Sequence, residues 1–237
     1  MKPIIANIRS TVFTNKPVEV DYDKSLKIVT VLQEYKLHPF PVNGFSFQLG
    51  PTGMIPTTLS SYEFRTSDNT LNISLGPDRI DINSCKLYSD IRTAYTEMVD
   101  IFQKVEDAFR SCVEFKVVRL ALASTWNLGG NDLESKTATL LGGQNNAQLV
   151  EWENRRVERI PLQGSGIPVN YGHKIARGTI KLPTEPILSD CIFLETDINT
   201  IPLPTETLNE DISSAFFASA VDQSVRIVSE TLKKISL

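Results

Sequence analysis

Apolar and polar residues alternate most regularly between residues 71 and 128. Apolar side chains occupy every second position over 71–75 and again over 80–82, which is the period of half-buried strands. Gly76-Pro77-Asp78 separates the two runs and has the composition of a turn. The pattern predicts a β-hairpin at the centre of the chain.

A long amphipathic helix is predicted directly after this hairpin, over residues 86–111, with Ser84 as its N-cap. Seven large apolar side chains recur at spacings of three and four and predict one buried stripe: Leu87, Ile91, Tyr95, Met98, Phe102, Val105 and Phe109. The strand predicted next, over 115–128, is mostly apolar on both faces, which favours a central place in a sheet.

The remaining pattern predicts further strands and a second long helix. Strands are expected near 3–14, 26–34, 45–49, 62–66, 148–162, 174–182 and 191–198. Residues 153–156 are polar and predict a turn within 148–162. Thr207 and Glu210 have the spacing of a capping box, so the second helix is predicted over 207–235.

These elements predict an α+β fold with a mostly antiparallel sheet, because successive strands are joined by short turns. We expect a single domain, 1–237, in two halves at approximately 1–112 and 113–237. Each half ends in a long helix packed on the sheet. No sequence repeat is visible, so a relation between the halves remains an architectural hypothesis.

Residues 129–147 have the composition of a long loop, with four glycines, three asparagines and few large apolar groups. Such a segment cannot bury enough surface to offset its ordering entropy. We expect it to be mobile and to be ordered on binding a partner, or else to be a simple connection.

Composition and charge exclude several classes of function. The chain has 237 residues, 41% hydrophobic content and a formal net charge of −4, which argues against general nucleic-acid binding. Its three cysteines lack metal-site spacing and are expected to be reduced thiols in a cytoplasmic protein. No apolar run is long enough for a transmembrane helix, and no motif implies a cofactor.

Arg119 is the most conspicuous polar residue, because it interrupts the apolar strand 115–128. A buried guanidinium needs a partner, so Arg119 is either half of an ion pair inside the sheet or an anion-binding residue facing a groove. Trp126 and Asn127 stand at the end of the same strand. Trp126 belongs either to the core or to the rim of a binding surface.

Two other groups of residues are candidates for chemistry. Arg155, Arg156 and Arg159 form a basic cluster that acidic neighbours balance, as at a partner-contact surface. Glu195 and Asp197 lie two residues apart on one strand and therefore share a face. They could bind a divalent cation, although pairing with Arg119 or Arg177 is the simpler interpretation. His38 and His173 have no motif partner.

Three runs of sequence resemble a known family: FRTSDNTLNISLGPDRIDIN with Tyr88 and the following helix, VVRLALASTWN, and CIFLETDI. The chain is similar over roughly 62–128 and 190–235 to uncharacterised prokaryotic proteins of about this length, sporadically distributed and often near mobile or defence genes. A second Arg of the family's strand is here Ala123. The resemblance implies a prokaryotic cytoplasmic protein with a defence or toxin–antitoxin partner, and it carries no established activity.

Taken together, the missing catalytic motifs and this resemblance predict a non-enzymatic protein-binding module. It would be a subunit of a prokaryotic antiviral defence or toxin-neutralising complex. The alternatives are a small-ligand sensor with a pocket between sheet and helices, and a metal-dependent hydrolase that uses Glu195 and Asp197.

Overall fold

The computed structural model describes residues 4–50, 53–128, 132–140, 151–181, 188–204 and 207–235. Within them the chain forms four α-helices: α1 Tyr22–Val31, α2 Ile91–Arg110, α3 Leu133–Leu140 and α4 Glu210–Ile235. Nine strands accompany the helices: β1 Ile4–Thr14, β2 His38–Gly50, β3 Gly53–Arg65, β4 Leu71–Gly76, β5 Arg79–Tyr88, β6 Val117–Leu128, β7 Trp152–Pro161, β8 Pro168–Lys181 and β9 Leu188–Thr200.

The nine strands form one antiparallel sheet in the order β2-β3-β4-β5-β1-β6-β9-β8-β7. The predicted α+β fold and the central position of β6 are confirmed. The two halves contain their elements in a similar order, and they meet where β1 pairs with β6. In each half the first strand pairs with the last, a shorter helix follows the first strand, and a long helix follows the last.

The helices divide the sheet into a helix face and an open face. α2 lies on β1 and β5, and α4 lies on β6, β8 and β9. α1 packs against α2, and α3 packs against α4. In the described part of the chain no helix covers the opposite face, so the sheet has one dry and one solvated side, as antiparallel sheets often do.

The predicted apolar stripe of α2 is buried, apart from Leu87. The helix buries Ile91, Ala94, Tyr95, Met98, Ile101, Phe102, Val105, Ala108 and Phe109. Leu87 is exposed because β5 continues to Tyr88, which pairs with Ile4. The helix therefore begins later than predicted, and Asp90 rather than Ser84 is its N-cap, accepting a hydrogen bond from the Thr93 amide at 2.6 Å.

Three other predictions of local structure are wrong. The strand expected over 26–34 is mostly helix α1, capped by Asp21, which accepts from the Lys24 amide at 2.8 Å. The turn expected over 153–156 is part of continuous strand β7, which pairs with β8 along its whole length. The expected loop contains helix α3, while 129–131 and 141–147 lie outside the described residues.

The capping box predicted for α4 is replaced by a nearby cap. Asn209, rather than Thr207, accepts a hydrogen bond from the Ile212 amide at 2.9 Å. The helix nevertheless ends at Ile235, as predicted.

All three cysteines are free thiols, in line with the prediction. Burial raises the pKa of Cys191 to about 11.

Among the described helices none is both long and apolar enough to cross a membrane.

Candidate ligand-binding groove

Four neighbouring strands place polar side chains on the open face of the sheet. Side chains alternate between faces along a strand, so residues two apart line the same surface. The pairing register aligns these positions in rows across β6, β9, β8 and β7. The rows are Ala121–Asn199–Asn170–Arg159, Ala123–Asp197–Gly172–Val157 and Thr125–Glu195–Lys174–Arg155.

The rows surround a groove of about 430 Å³, which we call the open-face groove. Its polar and charged lining includes Arg119, Glu153, Arg155, Asn170, Lys174, Glu195, Asp197 and Asn199. Gly172 forms part of its floor. A Cβ at Gly172 would lie 2.9 Å from the carbonyl oxygen of Asp197, so glycine permits the close approach of β8 to β9 beneath the groove.

A chain of hydrogen bonds runs along the groove towards Asp197. The Arg159 Nε donates to Asn170 Oδ1 at 2.8 Å, and Asn170 Nδ2 donates to Asn199 Oδ1 at 3.1 Å. The other end of the Asn199 amide, Nδ2, donates to Asp197 Oδ1 at 3.0 Å. Asn199 is buried, so the chain fixes its amide and orients the Asp197 carboxylate.

Arg119 contacts the same amide from the other side. Its Nη2 donates to Asn199 Oδ1 at 3.0 Å, and its guanidinium lies 4.7 Å from the centre of the Phe13 ring. Its Nε is buried and has no hydrogen-bond partner among the described residues. Arg119 therefore forms no ion pair in the described sheet, and of the two interpretations its geometry favours the one that faces a groove.

Glu195 and Asp197 share the open face, as the strand period predicts, but their environments differ. Lys174 Nζ lies 2.9 Å from Glu195 Oε2, whereas Asp197 forms no ion pair with any described residue. The simpler expectation, that these acids pair with Arg119 or Arg177, is wrong. Arg119 contacts Asn199, and Arg177 Nη2 lies 3.5 Å from Asp190 Oδ2. In the part of the chain that the structure describes, no three His, Cys, Asp or Glu residues are grouped as metal ligands.

The residues at the end of β6 lie outside this groove. Trp126 points to the helix face, is 1% exposed and donates from Nε1 to Tyr95 Oη at 3.1 Å. Trp126 therefore belongs to the core, and the alternative that it forms the rim of a binding surface is wrong. Asn127 lies on the open face beside Phe193, and its buried Oδ1 has no partner among the described side chains.

The predicted basic cluster is divided by the sheet. Arg155 and Arg159 lie on the open face, whereas Arg156 points to the helix face beside His173. Burial, followed by the nearby Arg156 charge, lowers the pKa of His173. Consecutive residues of a strand point to opposite sides, so a run of arginines in β7 cannot act as one surface.

Sequence reasoning missed Asn170, Lys174 and Asn199, although a signal was present. Polar residues stand at alternate positions in both β8 and β9, which indicates one polar face on each strand. The sequence could not show that these two faces adjoin, because that depends on strand pairing.

Comparisons with known proteins give little further information. No family model matches the chain, and no curated protein matches it. A solved structure of a rolling circle replication initiator protein from Geobacillus stearothermophilus aligns with a TM-score of 0.27 and 10% sequence identity, covering 93% of this chain and 79% of that one. This neighbour conflicts with the predicted non-enzymatic protein-binding module, which we do not retain. Its TM-score is too low to assign any function to this chain.

Proposed function

We propose that the protein binds a small zwitterionic ligand in the open-face groove. The observation that supports this most directly is the placement of opposite charges on either side of one buried amide. Arg119 Nη2 and Asp197 Oδ1 each lie 3.0 Å from Asn199. A ligand with an anionic group and an ammonium group a few bonds apart would match both charges at once.

Asp197 and Arg119 lack ion-pair partners among the described residues, which favours ligand binding over a purely structural role. Asp197 is exposed and lacks an ion-pair partner among the described residues, so it can accept from an incoming ammonium. Arg119 lines the groove, and no described carboxylate forms an ion pair with its guanidinium. Hydrogen bonds between ionised groups are stronger than neutral ones, so a ligand that satisfied both groups would gain affinity.

Pre-organisation is the second argument. The Asn170–Asn199 chain fixes Asp197, and the Phe13 ring and Asn199 hold the Arg119 guanidinium. Binding would therefore order few side chains, which lowers the entropic cost of association. The groove volume of about 430 Å³ also falls in the range of small-molecule sites. An α-amino acid is the simplest ligand class of this charge pattern.

The test is a thermal-shift and calorimetric screen of the common α-amino acids. We expect at least one to raise the melting temperature of the wild type, because a ligand that binds the native state stabilises it. Its N-acetyl derivative, which lacks the ammonium, and its amide, which lacks the carboxylate, should both bind about tenfold more weakly or worse, since a hydrogen bond to a charged group contributes about 1.5–3 kcal/mol.

Matched variants separate the groove from general charge effects. Asp197→Asn should weaken binding about tenfold, whereas Asp190→Asn, on the same strand but outside the groove lining, should not. Arg155→Gln should weaken binding, and Arg156→Gln, on the opposite face, should leave it unchanged. If no amino acid binds, or if Asp197→Asn and Asp190→Asn bind equally, the proposal is wrong.

A further inference from the structure

A second cavity lies on the helix face, between the edge strands and the C-terminal helix. It has a volume of about 430 Å³ and is bounded by β7, β8, α3 and α4. We call it the edge cleft. Its strand side chains, such as Arg156, point to the other side of the sheet from the open-face groove, although His173 of β8 lines both cavities.

Basic side chains from three elements converge on the edge cleft. Arg156 comes from β7, His173 from β8, and Arg226 and Lys234 from α4. Burial is the largest cause of the lowered pKa of His173. The charges of Arg156, Lys234 and Arg226 lower this pKa further, and the charge of Glu158 opposes them. The three permanent cations therefore lie close enough to act on one imidazole.

The charges of these three cations are only partly balanced by the described residues. No described carboxylate forms an ion pair with Arg156, Arg226 or Lys234. Glu158 and Glu230 also line the cleft, which leaves an excess of positive charge. The two carboxylates offset part of the charge of the three cations, and the remaining positive charge favours an added anion.

One of the cations is oriented for binding. Both Nε and Nη2 of Arg226 donate to Gln223 Oε1, at 3.1 and 2.7 Å. This contact fixes the plane of the guanidinium. A fixed guanidinium suits a phosphate or carboxylate, which it can bind through two parallel hydrogen bonds.

Apolar side chains also line one part of the edge cleft. Ile160, Ile175, Ile227 and Leu140 line it beside the cations. An inorganic anion alone would make no apolar contact with these side chains. The cleft as a whole matches an anion that carries an apolar organic group.

We infer that the edge cleft binds a phosphomonoester whose organic part is a ring or a short apolar chain. Its phosphate would lie between Arg156, Arg226 and Lys234, and its organic part would contact the isoleucines. This inference is independent of the open-face groove, because none of these three cations lines that groove.

Phenyl phosphate is the probe that tests the inference. The chain has two histidines, so the ring resonances of His173 can be assigned by comparison with His173→Gln. We expect saturable shifts of these resonances and a rise in the His173 pKa, because a nearby dianion favours the imidazolium. Inorganic phosphate should bind more weakly, since it lacks the apolar contact, and phenol should not bind.

Neighbouring basic residues provide the controls. Arg156→Gln and Lys234→Gln should each weaken phenyl phosphate binding about tenfold. Arg155→Gln and Lys233→Gln remove the same charges one residue away and should have no effect, because neither residue lines the edge cleft. All four side chains are exposed, so circular dichroism should confirm that every variant folds.

Further titrations identify the source of the phosphomonoester. Adenosine 5′-monophosphate represents a nucleotide, and a phosphotyrosine peptide represents a modified protein. Tighter binding of either one than of inorganic phosphate supports the inference and names the source. The inference is overturned if phenyl phosphate gives no saturable shift, or if Arg156→Gln and Arg155→Gln bind it equally. Failure of the amino-acid screen would leave this result unaffected.

Discussion

Phe102→Asp is expected to unfold the protein. Phe102 is 1% exposed on α2, and its ring centre lies 4.3 Å from that of Phe217 on α4. Removing a buried Phe side chain costs about 3–5 kcal/mol, and burying an unpaired carboxylate costs more. The sum approaches or exceeds the total stability of a typical domain, about 5–15 kcal/mol.

Circular dichroism and the melting temperature measure this effect, and the next residue in the helix provides a control. Gln103→Asp places the same carboxylate at an exposed position and should cost less than about 1 kcal/mol. Phe102→Leu should fold with a lowered melting temperature, because it retains most of the apolar volume. A folded Phe102→Asp protein with an unchanged melting temperature would show that α2 does not carry the core.

The success of the α2 prediction has a local cause. A helix repeats every 3.6 residues, so its buried face can be read from one continuous segment. Six of the seven predicted stripe residues are buried. The exception is Leu87. It lies in strand β5, which extends further than its sequence pattern predicted because β5 pairs with β1 as far as Tyr88.

The failure at residues 26–34 shows the limit of the same method. Ile28 and Leu32 are both buried there, and their spacing of four fits a helix as well as it fits one face of a strand. Short apolar runs do not distinguish the two. Asp21, whose side chain caps α1, was the local signal that favoured a helix.

The open-face groove could be predicted in part. The strand period correctly placed Glu195 and Asp197 on one face, but it could not identify Lys174 as the partner of Glu195. That contact, like the one between Asn170 and Asn199, depends on β8 pairing with β9 in one register. Strand pairing joins residues distant in sequence, so a single sequence does not specify it.

Strand β7 illustrates the same point for charge. The chain order places Arg155 beside Arg156, and the sequence therefore indicated one basic cluster. The sheet separates them into two different sites. For this reason, variants of Arg155 and of Arg156 distinguish binding at the open-face groove from binding at the edge cleft.

Trp126→Ala is the second change with a large expected effect, because Trp126 joins the two layers of the fold. Its indole Nε1 donates to Tyr95 Oη on α2 at 3.1 Å and to Ser124 Oγ at 3.0 Å. Ser124 and Thr196 lie 2.9 Å apart through their hydroxyl oxygens, which extends the buried network to β9. We expect Trp126→Ala to lower the free energy of unfolding by about 3–5 kcal/mol, measured by chemical denaturation.

Trp126→Phe separates the hydrogen bonds from the packing. It keeps an aromatic ring but removes the donor, so Tyr95 and Ser124 lose one partner, at an expected cost of about 1–3 kcal/mol. Trp152→Ala is the control, since Trp152 is the other tryptophan and lies partly buried on edge strand β7. It should cost less than Trp126→Ala, because fewer contacts are lost at a sheet edge. Equal costs for the two alanine variants would contradict the assignment of Trp126 to the core, and a neutral Trp126→Phe would show that the network contributes little beyond packing.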